Sequence, residues 1–108
     1  MVVDKKRLIW SKMTKADLKT IAEYYKKEAS ITVAKRITEA IRQEARRLIE
    51  MPFIGQLEPS LNNDSYIYRY LVCKHYKLIY YVKGNSVVIT CIFDCRQDPD
   101  RLKHLFDK

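Results

Sequence analysis

Between Ser30 and Pro52, the apolar residues Val33, Ile37, Ala40, Ile41, Ala45 and Leu48 follow one another at helical spacing. On an α-helix they form one dry stripe, while Lys35, Arg36, Arg42, Arg46 and Arg47 line the opposite face. A helix with one dry face has to bury it against another element, so this segment forces a layered fold. Ser30 supplies a side-chain acceptor for the first free amides. Pro52 biases the residue before it away from helical backbone. The spacing predicts a helix over Ile31–Glu50.

A second amphipathic pattern precedes it. Leu18, Ile21, Ala22 and Tyr25 share a face, and Thr14-Lys15-Ala16-Asp17 resembles a capping box with Asp in the place of Glu. This predicts a helix over Lys15–Lys27, folded back on its successor through a connection of a few residues. Arg7–Ser11 reads as a short strand before it. Pro52–Asp64 carries Pro, Gly and Asn and reads as a loop. Three strands are predicted next, over Tyr66–Lys74, Tyr76–Lys83 and Ser86–Phe93, the last two joined at Gly84-Asn85. In the last of them Val87, Ile89, Cys91 and Phe93 alternate onto one face. Asp94–Pro99 turns the chain. Asp100–Asp107 is predicted as a short helix with Leu102, Leu105 and Phe106 inward. The expected fold is α+β in the order β-α-α-β-β-β, a helical hairpin on an antiparallel three-stranded sheet, as one domain over residues 1–108.

Charge and cysteines narrow the classes of function. With 21 Lys/Arg against 13 Asp/Glu the chain carries +8, which favours an acidic or polyanionic partner. No apolar run is long enough to span a bilayer, and the N-terminus MVVDKKRLIWSK lacks the pattern of a signal peptide, so a cytoplasmic location is expected. Cys73, Cys91 and Cys95 are odd in number and include no CxxC pair. Even with His75 or His104, Cys91 and Cys95 match no zinc spacing; no metal and no cofactor is expected.

The stretch Ser65–Lys83 holds six of the eight tyrosines and four Lys/Arg residues. Tyr66, Tyr68 and Tyr70 alternate onto one face; Tyr76 and Tyr80 share another with Leu78, and Tyr81 points away from them. Such a row can stack on bases or simply cover a sheet, and β-propensity favours cover.

In order along the chain stand RLIWSKMTKADLKTIAEYY, the Pro-x-x-Gly of PFIG, Arg69-Tyr70-Leu71, Tyr76-Lys77-Leu78-Ile79-Tyr80-Tyr81, and Arg96-Gln97-Asp98-Pro99 before Leu102. Together these resemble the RelE/ParE superfamily of toxins from type II toxin–antitoxin modules, nearer the ParE, or plasmid-stabilisation, branch. Two departures stand out. Asp94 and Cys95 precede Arg96 where ParE-like members often carry a histidine, and Lys77 stands where they have arginine. The resemblance implies an acidic, partly disordered antitoxin as partner. It also implies one of two modes of action: binding and poisoning DNA gyrase, or, on the RelE side, cleavage of mRNA in the ribosome.

The candidate site residues follow. Arg69, Lys77 and Arg96 are read as a phosphate-binding triangle on a shared concave surface; the alternative is that Arg69 and Arg96 pair with Asp64, Asp94 or Asp98. Under a nuclease reading the set is Glu58, Arg69, Lys77 and Arg96, with Glu58 in GQLEPSL as general base; otherwise Glu58 is a solvated loop charge. Under a target-binding reading the set is Arg69, His75, Lys77 and Arg96. His75 lies at a turn, and His104 on the surface of the last helix. The ParE-like mode is expected, because no convincing acid–base pair is present. A non-toxic binding module derived from the family is the remaining alternative.

Overall fold

The computed structural model describes residues 5–61 and 65–106. Asp64, a proposed ion-pair partner, and Asp107, the predicted end of the last helix, lie outside them, as do the first four residues of the N-terminus.

Strand β1 (Arg7–Trp10) leads into helix α1 (Lys12–Glu28), and α2 (Ile31–Arg46) folds back on it. Ser30 caps α2 as predicted, its Oγ accepting from the Val33 amide at 3.1 Å. The last turn of the predicted helix tightens into a 3-10 turn at Arg47–Ile49. The cap of α1 is Ser11 rather than Thr14: the Thr14 amide donates to Ser11 Oγ at 3.1 Å. Thr14 is buried one turn further in, where its hydroxyl donates to the Ile89 carbonyl at 2.8 Å. Asp17 makes no capping bond; its carboxylate accepts from the Ile92 amide at 2.9 Å and so ties α1 to the sheet.

The sheet has five strands in the order β1-β5-β4-β3-β2. Strands β3 (Arg69–Cys73), β4 (Tyr76–Lys83) and β5 (Ser86–Asp94) form the predicted antiparallel meander. Gly84 takes a left-handed φ of 58° in the turn between the last two, a conformation that glycine adopts without strain. Two edge strands extend the predicted sheet. β1 pairs in parallel with β5, Arg7 opposite Ser86 and Trp10 opposite Ile89. β2 (Gln56–Leu57) lies inside the predicted loop and pairs antiparallel with β3. Helix α3 (Pro99–Phe106) closes the described chain; Leu102 is buried in it, but Leu105 is exposed, contrary to the predicted inward face.

Each sheet face carries its own core. The helical hairpin covers Leu71, Tyr76, Leu78, Tyr80, Val87 and Ile89. On the reverse face α3 and the 3-10 turn at Pro59–Leu61 cover Tyr68, Ile79, Cys91 and Phe93. The predicted alternation of β5 therefore breaks in the middle: Val87 and Ile89 face the hairpin, whereas Cys91 and Phe93 face α3. The cause is a bulge. Ile79 pairs with Cys91 but Tyr80 with Ile89, so Thr90 is an extra residue and inverts the parity of everything after it. Ser11 Oγ donates to the Thr90 carbonyl at 2.8 Å, so the start of α1 supplies hydrogen bonds at the distorted part of the ladder.

Candidate functional site

The tyrosine-rich stretch forms most of β3 and β4, and its rings serve the two cores. Tyr76 and Tyr80 lie under the helical hairpin. Tyr66, Tyr68, Tyr70 and Tyr81 lie on the reverse face; the Tyr66 and Tyr81 ring centroids are 4.1 Å apart, and Phe106 of α3 closes on Tyr68 at 5.2 Å. The predicted faces are correct, and the rings are largely occupied as sheet cover. Burial raises the Tyr76 and Tyr80 hydroxyls above the usual phenol range, Tyr76 further through its hydrogen bond with Tyr25.

The cations among these rings do not share one hollow. Arg69 pairs across the ladder with Tyr80, and Lys77 with Val72. Residues opposite each other on an antiparallel pair share a face, and Lys77 lies three positions from Tyr80 on one strand. Arg69 and Lys77 therefore leave opposite faces of the sheet. The cavities follow the same division. Arg96 lines a space of about 340 Å³ with Asp17, Tyr24, Tyr76, Asp94 and Gln97. Arg69 lines one of about 430 Å³ with Phe53, Ile67, Val82 and Lys83. Lys77 lines a third, of about 400 Å³, with Glu58, Ser60, Phe93, Cys95 and Lys103. The predicted concave triangle is thus replaced by three separate places.

Arg69 Nη1 donates to the Gly55 carbonyl at 2.9 Å and stands near the Phe53 carbonyl at 3.4 Å, its guanidinium 5.5 Å from the Phe53 ring centre. Gly55 in turn donates its amide to Tyr80 Oη at 2.9 Å. A β-carbon on Gly55 would sit 2.5 Å from that oxygen and 2.8 Å from the Tyr70 carbonyl, so the loop approaches the sheet as only glycine allows. The Pro-x-x-Gly and Arg-x-Leu motifs are two halves of one contact.

Lys77 and Glu58 do meet. Lys77 Nζ lies 3.0 Å from Glu58 Oε1 and 4.2 Å from the centre of the Tyr70 ring. Ser60 Oγ donates to Glu58 Oε2 at 3.1 Å. The Glu58 side chain is only 7% exposed, so it is neither the solvated loop charge nor an open carboxylate. The missed two-residue strand β2 is what carries it inward.

Arg96 turns back on Asp94 through a two-pronged contact, Nε to Oδ1 at 3.1 Å and Nη2 to Oδ2 at 2.9 Å. This hydrogen-bonded pair holds the Asp94 carboxyl below the usual range and raises Arg96. Asp98 accepts from the Asp100 amide at 3.0 Å, and Pro99 opens α3. Arg-x-Asp-Pro is therefore a turn that locks β5 to α3, and the Asp94 partner was among the alternatives that the sequence left open. His75 stands at the same end: its carbonyl accepts from the Cys95 amide at 2.7 Å, and its ring lies 4.3 Å from Tyr76 and near Tyr25 Oη, 3.4 Å from Nε2. His104 lies on α3.

Cys91 is buried, and burial pushes its thiol up to about 12. Cys95 is exposed and Cys73 half-buried. Among the described residues no three His, Cys, Asp or Glu side chains gather as metal ligands. No described helix is long and apolar enough to cross a membrane.

The family model described as "ParE toxin of type II toxin-antitoxin system, parDE" matches residues 8–99. No curated protein matches the sequence. Among solved structures, the chain is similar to one described as "Chromosomal ParDE TA system from P. aeruginosa", with a TM-score of 0.72 and 22% identity over 84% of this chain and 97% of that one. At that identity the likeness speaks for the fold, which is RelE/ParE-like α+β.

Proposed function

We propose that this chain, which belongs to the ParE toxin family of type II toxin–antitoxin systems, arrests growth as a single cytoplasmic domain by binding DNA gyrase and is neutralised by an acidic antitoxin. Binding rather than chemistry is the mode of action. The observation that supports this most is the division of the four nuclease candidates among three separate places, with only Glu58 and Lys77 together. Glu58 is closed against Lys77 and Ser60, Arg69 occupies the other sheet face, and Arg96 is clasped by Asp94. RNA cleavage at a 2′-hydroxyl needs a base, a phosphate clamp and an acid around one scissile bond. These residues converge on no such point.

Of the target-binding candidates, His75 and Arg96 stand together at one end of the sheet and are proposed as contact residues. Arg69 and Lys77 act through the loops they hold. Arg96 suits the role because its guanidinium is held in one orientation yet stays well exposed.

The test is expression of the chain alone in a bacterial host. The expected result is arrested growth, loss of negative supercoiling in plasmid DNA and an induced DNA-damage response, with messages intact. Cleaved messages with normal supercoiling would establish the nuclease alternative instead, and unimpaired growth the inert module. Co-expression of a small acidic protein encoded beside the gene is expected to restore growth.

A further inference from the structure

Large apolar side chains are exposed at many points, but four of them, Met51, Phe53, Ile54 and Leu57, follow closely along one stretch of chain, and Ile67 lines a groove with Phe53. Phe53 is 61% exposed and Ile67 64%. Exposed apolar side chains scattered singly need no explanation, whereas a gathered set on a fixed backbone marks a contact surface. The backbone here is fixed. The Gly55 amide is held by Tyr80 Oη, and the Gly55 carbonyl by Arg69. Phe53 and Ile67 form walls of the 430 Å³ groove, with Arg69, Val82 and Lys83 between them.

The lining chemistry selects the occupant. Arg69 and Lys83 are the charged residues of the lining, both cationic, and no acid lines the groove among the described residues. Arg69 uses Nη1 for the loop carbonyls, and its other guanidinium nitrogens have no acceptor among the described residues. A second copy of this chain, itself carrying +8, would bring cations against cations. Arg69 of the groove pairs with Leu57 of β2, the last strand of the sheet, whose outer edge is unpaired among the described strands and can accept an extended segment by main-chain hydrogen bonds.

We infer that the groove between the Met51–Gly55 loop and the segment leading into β3 is a docking site for an acidic peptide segment carrying apolar side chains, which seat against Phe53 and Ile67 while its carboxylates meet Arg69 and Lys83. This rests on the proposed antitoxin partnership for its biological occupant, and it gives that partner a place to bind. Lys83 Nζ, 5.7 Å from the Tyr66 ring centre, completes the cationic side of the groove.

The test uses the full chain labelled with 15N and a short synthetic peptide in which Leu and Phe are interspersed with Asp and Glu. A counterpart with Lys at every acidic position serves as control. The expected result is amide shifts centred on Phe53, Ile67, Arg69, Val82 and Lys83 for the acidic peptide alone, weakening as salt rises. Lys83→Glu and Phe53→Ser each lower affinity about tenfold, as loss of a charge-assisted or anchoring contact does, with thermal unfolding unchanged. Arg36→Glu, on the exposed face of α2, changes it less than about twofold, since it touches no part of the groove. Shifts centred on the basic face of α2, equal binding of both peptides, or no binding would each overturn the inference. Growth arrest is read separately. A chain that arrests growth without groove shifts sinks the groove and spares the toxin reading; groove shifts in a chain that leaves growth unimpaired do the reverse.

Discussion

The two faces of the sheet are built on different principles. Under the helical hairpin the side chains are mainly aliphatic and wholly buried: Ile41, Leu48, Leu78, Val87 and Ile89 have no exposed surface. Under α3 the cover is aromatic and sulfur-bearing, and it encloses a closed carboxylate–ammonium pair beside a 400 Å³ cavity. The first face derives its stability from area removed from water. The second trades some of that area for polar contacts whose desolvation consumes much of their attraction. Glu58 and Lys77, the residues most suggestive of chemistry, are thus engaged with each other within the cover of the reverse face.

The largest expected effect lies on the hairpin face. Leu78→Ala removes a fully buried side chain at the centre of that core and is expected to cost about 3 kcal/mol in urea unfolding, lost transfer energy plus cavity. A cost below about 1 kcal/mol would mean that the hairpin face is loosely packed and that the contrast is false.

Next comes Gly55→Ala, at the border of the same face. Its new β-carbon meets Tyr80 Oη at 2.5 Å and the Tyr70 carbonyl at 2.8 Å, and overpacking of this kind costs about 2 kcal/mol by the same measurement. Because Tyr80 and Arg69 both hold this loop, amide exchange over residues 51–57 should accelerate as well.

The reverse face is probed by a double-mutant cycle. Lys77→Met leaves Glu58 buried without its cation and is expected to cost about 2 kcal/mol, below the range for fully buried pairs because Lys77 keeps some solvent contact. Adding Glu58→Gln should recover about 1 kcal/mol, a coupling that two independent sites would lack.

Asp17 gives a pH test. Burial, opposed by the Ile92 amide, raises its carboxyl above 3.8, so its favourable contribution is complete below that pH and is lost as pH rises through the raised value. Asp17→Asn keeps an acceptor for Ile92 and removes the charge. Relative to the parent it should therefore gain stability as pH climbs out of the acid range, with the difference vanishing below pH 3.8. A constant difference across pH would place the effect in the hydrogen bond instead. Smallest of all, Glu39→Gln in the exposed pair with Arg46 should leave the urea-unfolding midpoint indistinguishable from that of the parent.

Much of this architecture is legible in the sequence, because local signals carry it. The α2 stripe, the Ser30 cap, the Gly84 turn and the opposite faces of Tyr80 and Tyr81 each depend on neighbours within a few residues. What escaped depends on distant partners. One inserted residue, Thr90, inverts the parity of β5, and no local pattern marks it. Strand β2 has two residues and exists only because β3 lies beside it. The facing of Arg69 against Lys77 depends on the register between two strands, which alternation within either strand leaves open. The same register brings Glu58 to Lys77 across 19 positions, whereas the Asp94–Arg96 clasp spans two and was within reach of sequence reasoning.

On the proposed reading, Glu58 and Lys77 hold the fold while the chain acts by binding. The most direct measurement is growth arrest, plasmid supercoiling and message integrity for the Glu58→Gln/Lys77→Met chain, with its folding verified by unfolding curves. Arrest at parental strength, supercoiling lost and messages whole is the predicted result. A folded double variant that no longer arrests growth, from a parent that cuts messages, would contradict it.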